Sequence, residues 1–221
     1  MGPADGFNFL VVLLQHMLEK YNMNQTTLKI LSLYKSDYRR TSHLREIARE
    51  IGVDVKSTQI QLRRLESVRI LSSAFKGRNK EYSLNLSNLL TKYYMTLAET
   101  FTSITYLEMN FLIKKIVSEL DHRIQETIIL FGSFAKGDAT KESDIDPFTV
   151  TEQELKVHID AAREVEGLIG RKINVKSTCE AEFVKGFARG DPLIREVVSD
   201  HIILKGIDSF VGMMWRIYAR S

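Results

Sequence analysis

A chain of 221 residues holds one large domain or two small ones. Its 44% hydrophobic and 27% charged residues are ordinary for a soluble protein, and three prolines with no Gly/Ser-rich run argue against disordered linkers. The lone Cys179 excludes an internal disulfide and a cysteine metal cluster, which fits a reducing cytoplasm.

In chain order, the first feature is the apolar run from Phe7 to Leu18. It is shorter than the about 20 apolar residues a membrane span needs. It also lacks the basic start and small-residue cleavage site of a signal peptide. Phe7, Leu10, Val11, Leu14 and Leu18 recur at helical spacing, which predicts an apolar helix within residues 1–23, packed on the next unit or across a dimer.

Leu28, Ile30, Leu31 and Tyr34 predict a second helix. Leu44, Ile47, Ala48 and Ile51 form the apolar face of a third, closed by Gly52 where a left-handed residue ends a helix. A fourth runs from Val55 to about Val68, with Asp54 as its cap and Ile60, Leu62 and Leu65 as its buried side. Ile70–Phe75 and Glu81–Leu84 then alternate as two strands around the basic tip Lys76-Gly77-Arg78-Asn79-Lys80. Residues 24–85 carry 13 Lys and Arg against 6 Asp and Glu, a net of +7, although the whole chain is only +3. Such a concentrated basic module is the electrostatic footprint of nucleic-acid binding.

From Leu86 to Leu120 the pattern is helical. Leu90, Tyr94, Leu97, Phe101 and Ile104, then Leu107, Phe111, Ile113, Ile116 and Leu120, make one long stripe. This connector, residues 86–124, is long enough to bury against a neighbouring domain or to pair with a second copy.

Next comes a strand, Ile128 to Phe131, that ends in Gly132-Ser133. About ten residues later Asp144-Ile145-Asp146 leads into another apolar run. Gly132 permits a close backbone approach, and Ser133 opens a short helix whose free N–H groups attract phosphate. Asp144 and Asp146 are two apart on a strand, so both carboxylates point to one face, an arrangement suited to Mg²⁺. A helix from Glu152 to Ile169 and the stop Gly170 precede a strand at Lys172–Lys176, with Asn174 at its centre. Glu180 and Glu182 follow. Ala181–Phe187 reads as a short helix, Pro192–Asp200 as a helix capped by Asp191, Ile202–Gly206 as a last strand, and Phe210–Tyr218 as an amphipathic tail. The five histidines show no ligand spacing.

Two resemblances follow from these residues. Leu44–Val53, Ser57-Thr58-Gln59, Leu62-Arg63-Arg64-Leu65 and Lys76–Tyr82 resemble a winged helix-turn-helix of the ArsR and MarR kind, with Arg69 where that pattern often has Gly. The resemblance implies double-stranded DNA as partner. Lys56, Ser57, Thr58, Gln59, Gln61, Arg63 and Arg64 would lie on or near the recognition helix, and Lys76, Arg78 and Lys80 on the wing. Residues 125–206 resemble the nucleotidyltransferase fold of the DNA polymerase β superfamily, through Gly-Ser, a spacer and Asp-x-Asp. That resemblance implies Mg²⁺ and a nucleoside triphosphate as cofactors. Asp144 and Asp146 would be metal ligands and catalytic, while Gly132, Ser133 and Lys136 would hold the nucleotide. The chain departs from the pattern at Asn174, where a third Asp is expected, and at Pro147, where an aliphatic residue is usual. Asn cannot serve as a base, and proline tends to mark an edge or a bulge.

The expectation is thus an α+β chain of two domains. A winged helix-turn-helix, residues 24–85, precedes a nucleotidyltransferase-like domain with a small mixed sheet, residues 125–221. The sequence points to a cytoplasmic, homodimeric, DNA-binding transcriptional regulator with an impaired transferase domain and no membrane association. The alternative is an active Mg²⁺-dependent nucleotidyltransferase acting on a protein or nucleic-acid hydroxyl, in the manner of an antitoxin.

Overall fold

The computed structural model describes residues 23–121, 126–152 and 155–219; the Phe7–Leu18 run lies outside them. The chain is α+β with two small sheets. Helix α1 (Gln25–Ser32) starts where the Asn24 side chain accepts from the Thr27 backbone N–H at 2.9 Å. Strand β1 (Ser42–His43) leads directly into α2 (Leu44–Ile51), which ends on Gly52 at φ 67°. Helix α3 (Val55–Ser67) is capped by Asp54, which accepts from Ser57 N–H at 2.8 Å.

The turn after α3 passes through Arg69 at φ 59°, the one non-glycine residue with positive φ among the described residues. That conformation costs a side-chain-bearing residue about 1–2 kcal/mol. The side-chain amides of Asn85 and Asn88 both donate to the Arg69 carbonyl and hold the turn. Strands β2 (Leu71–Lys76) and β3 (Asn79–Leu84) pair as an antiparallel hairpin, and β1 joins β3 to give the order β1-β3-β2.

The connector is two helices, α4 (Leu89–Met109) and α5 (Phe111–Asp121). The apolar stripe expected along it packs within the chain only in part. Helix α4 lies against α1 and also against two carboxyl-terminal elements, β7 (Ile202–Lys205) and α10 (Ile207–Ala219). Its buried face is Thr91, Tyr94, Met95, Ala98, Glu99 and Ser103, whereas Leu90, Leu97 and Ile104 are exposed. On α5, Ile113, Ile116 and Leu120 are buried as the periodicity predicts.

The second sheet has the order β6-β5-β4-β7. Strand β4 (Thr127–Phe131) is antiparallel to β5 (Asp146–Val150) and to β7, and β5 is parallel to β6 (Lys176–Thr178). Short helix α6 (Gly132–Lys136) follows β4, and α7 (Leu155–Ile169) follows β5. Helices α8 (Glu180–Arg189) and α9 (Pro192–Ser199) precede β7. The strand expected at Lys172–Lys176 is displaced: Ile173 makes only an isolated bridge to Ile145, and the ladder proper starts at Lys176. Pro147 sits in an interior strand rather than at an edge. Its missing N–H falls between the Ile145–Ile173 bridge and the Phe148–Lys176 pair, where the parallel ladder is interrupted.

One apolar cluster runs from Ile30, Leu62 and Tyr82 through Met95 and Ala98 to Phe148, Phe183 and Met214. A second lies under α5 and α7, with Ile116, Ile128, Leu130, Val165 and Ile173. Between the two ends of the chain is a buried polar pair. Glu99 and His201 are each 1% exposed, and Glu99 Oε1 lies 3.0 Å from His201 Nε2. Lys35 Nζ donates to the His201 carbonyl at 2.7 Å. Among the described residues no helix is long and apolar enough to cross a membrane.

Candidate functional site

The buried strand β4 delivers Gly132 to the end of the sheet beside β5, where Phe131 pairs with Asp146. Gly132 has φ 68°, and a Cβ built there would come within 3.0 Å of Asp146 Oδ2. The glycine thus serves both the backbone turn and the close approach of a carboxylate. Ser133 is half-buried in the first turn of α6. Ile145 is buried between Asp144 and Asp146, so alternation turns both acids to the opposite side of the strand.

Residues 172–174 are clamped against this edge by backbone bonds. Ile145 N–H donates to the Lys172 carbonyl at 3.0 Å, and Asn174 N–H donates to the Ile145 carbonyl at 2.8 Å. That register sets Asn174 beside the acids: its Nδ2 donates to Asp144 Oδ2 at 3.0 Å. Lys172 Nζ is 3.5 Å from the same Asp144 oxygen. Burial pushes the Asp146 carboxyl above its ordinary pKa, opposed by the Asn174 bond and the Lys176 charge, and reinforced by Asp144 and Glu196. The loop before Asp144 is held by Arg171, which donates to the carbonyls of Thr140 at 3.2 Å and Ser143 at 3.1 Å.

Lys136, expected to neutralise a triphosphate, ends α6 with its ammonium 3.0 Å from Glu196 Oε1 on α9. That bond holds the Lys136 pKa above its usual value. Glu196 was not foreseen as part of this region. Nothing local marks it, because α9 folds back over the site from far along the chain. Glu180 and Glu182 do not replace the missing acid. Glu180 bonds Arg216 and lines a cavity with Thr127 and Val150, at the opposite end of the strands from Asp146. Glu182 pairs with Lys185 at 2.6 Å.

A pair of Mg²⁺ ions calls for several hard anionic oxygens around a shared centre. Here the donors are two carboxylates, an amide turned with its N–H toward them, and an ammonium group. Among the described residues, no three His, Cys, Asp or Glu side chains gather where they could hold a metal. The residues present do not fit a two-metal centre.

The basic module presents a second surface. Lys56, Ile60 and Arg63 follow one another along one side of α3, with Arg64 beside them; all four are exposed. Gln59 and Ser57 are half-buried. Two residues expected on this face point inward. Thr58 is buried and its hydroxyl donates to the Asp54 carbonyl at 2.9 Å; Gln61 is buried and accepts from Thr27 Oγ1 at 3.3 Å. Conversely Ile60, expected inside, is 41% exposed. At the hairpin, Lys76 and Arg78 are exposed, with Lys76 Nζ 3.8 Å from Glu81. Lys80 is not free for a wing contact: its ammonium lies 2.8 Å from Glu66 Oε2 and over the Tyr82 ring. Glu66 also accepts from Ser73.

A family model described as "Nucleotidyltransferase domain" matches residues 112–204. Among solved structures, the chain is similar to a toxin-antitoxin with AMP-PNP at 18% identity, over 47% of this chain and 82% of that one, with a TM-score of 0.35. It is similar to a mutant of the toxin-antitoxin MntA-HpeT at 15% identity, over 47% and 86%, with a TM-score of 0.33. It is also similar to Sso10a-2, a DNA-binding protein from Sulfolobus solfataricus, at 20% identity, over 44% and 96%, with a TM-score of 0.30. No curated protein matches the chain. Residues 112–204, which contain Gly132, Asp144, Asp146 and Asn174, are a nucleotidyltransferase domain.

Proposed function

We propose that this chain is a DNA-binding transcriptional regulator whose nucleotidyltransferase domain has lost its transfer chemistry. In this reading residues 24–85 are a winged helix-turn-helix, with α3 as recognition helix and the β2–β3 hairpin as wing. The observation that carries it is the exposed row Lys56, Arg63 and Arg64 on α3: none of these cations makes an ion pair among the described residues. Unmatched cations along a short helix after a tight turn are suited to phosphate and base edges in a major groove. Lys76 and Arg78 add reach from the hairpin.

The test is duplex binding at low salt, using DNA that includes the region upstream of the protein's own gene. The native chain should bind, and Lys56→Ala, Arg63→Ala, Arg64→Ala together should cut the slope of log affinity against log salt by about 3. A native chain that binds no duplex at low salt sinks this reading.

Regulators of this kind read two half-sites as symmetric dimers. Leu90, Tyr93, Leu97 and Ile104 are exposed on α4 at spacings that bring them along one side. We assign that side to a second copy. A dimeric mass in solution at micromolar concentration should result, and Leu97→Glu should shift it to a monomer. A monomeric native mass refutes the assignment.

The second reading, an active transferase, is favoured by one observation, the contact of the Asp146 carboxylate with the Gly132 turn. It predicts nucleotide transfer by the native chain. If only Asn174→Asp shows transfer, the activity does not belong to the natural protein.

A further inference from the structure

Asn174 meets the two acids with the donating end of its amide. Its Nδ2 donates to Asp144 Oδ2 at 3.0 Å, and the amide also acts on Asp146, against the rise in its pKa. The amide thus meets Asp144 with an N–H and not with its oxygen, the only atom it could offer a metal. Lys172 adds a full positive charge 3.5 Å from the same Asp144 oxygen. The two backbone bonds to Ile145 fix residues 172 and 174 in this register and keep both beside the acids. A divalent ion entering between the acids would have to displace the Asn174 hydrogen bond and sit beside an ammonium group. Both contacts fall on Asp144 Oδ2 and supply there what an ion otherwise would: positive charge and a partner for the carboxylate oxygen.

We infer that Asn174 and Lys172 stand in for the divalent cation, so that the Asp144–Asp146 pair of the native chain takes no Mg²⁺ and these two side chains are what exclude it. The inference rests on the reading that transfer chemistry is lost, and it names the cause as internal cation mimicry rather than a missing base alone.

The test uses Mn²⁺ alone, titrated into the full chain without nucleotide and followed by the electron paramagnetic resonance signal of the free ion. The native chain should show no saturable site. Lys172→Met with Asn174→Asp should bind roughly 10- to 100-fold more tightly than the native chain. Adding Asp144→Asn to that pair should remove the gain. Circular dichroism confirms that each variant is folded. Saturable Mn²⁺ binding by the native chain that Asp144→Asn abolishes overturns the inference. A folded double variant that binds no better than the native chain overturns it too. Duplex binding by the native chain is scored separately, so failure here and failure of the regulator reading are told apart.

Discussion

On α3, Lys56, Arg63 and Arg64 are exposed and make no ion pair among the described residues; around the nucleotidyltransferase turn, the cations meet acids. Lys136 is bound to Glu196, Lys172 to Asp144, and the charge of Lys176 acts on Asp146. The two regions are built from the same side chains, and only the neighbours differ. Exposed, unmatched charge is available to an external polyanion, at little cost in high dielectric. Matched charge is already spent inside the molecule. The difference teaches that a basic residue near a phosphate-binding signature is no evidence of phosphate binding until its partner is known. Lys136 and Lys80 both looked available in the sequence, and both are tied to glutamates.

The largest expected effect comes from the point where the two regions join. Glu99 and His201 are buried from α4 and from the residue before β7; His201 bonds Glu99 Oε1, and Glu99 Oε2 has no hydrogen-bond partner among the described residues. Removing the imidazole would leave a carboxyl group unmatched in the core. His201→Ala should therefore cost about 3 kcal/mol or more, read by urea denaturation. Because one apolar cluster spans both ends of the chain, Trp215 fluorescence and far-ultraviolet circular dichroism should report a single coincident transition. Two separate transitions would show that the regions are thermodynamically independent, and would make the contrast in their charges a property of two proteins rather than one.

Much of this was legible in the sequence wherever the signal was local. The caps at Asp54 and Asp191, the stop at Gly52 and the hairpin around Gly77 all rest on residues within four positions of each other. Gly132, Asp144 and Asp146 were readable from a strand-ending glycine and two acids two apart, whereas Asn174 joined them only through the resemblance to the nucleotidyltransferase pattern. What failed needed distant partners. Thr58 and Gln61 are polar, and contacts such as those with Asp54 and Thr27 make their burial tolerable. On α4 the apolar count singles out Leu90 and Leu97, whereas the packing within the chain against β7 and α10 takes Ala98, Glu99 and Ser103. The strand near Asn174 was placed early because an isolated bridge and a three-residue ladder leave almost no periodicity to read.

The smallest effect tests how complete the internal matching is. Asp146 has a pKa raised chiefly by burial, with Asn174 and Lys176 only partly offsetting it. A carboxyl whose folded pKa lies above its unfolded value contributes stability below the unfolded pKa, and that contribution is lost as pH rises through the unfolded value toward the folded one. At neutral pH the native chain thus carries a penalty for keeping Asp146 ionised. Asp146→Asn titrates nothing and retains nearly the same shape, so it should melt above the native chain at pH 7. The gap in Tm should close as pH falls below the ordinary carboxylate value of about 4. Thermal melts of both proteins at several pH values give the answer directly. A native chain that is the more stable of the two at pH 7 would mean that Asn174 and Lys176 outweigh burial, which would extend the close matching seen at Asp144 to the whole site.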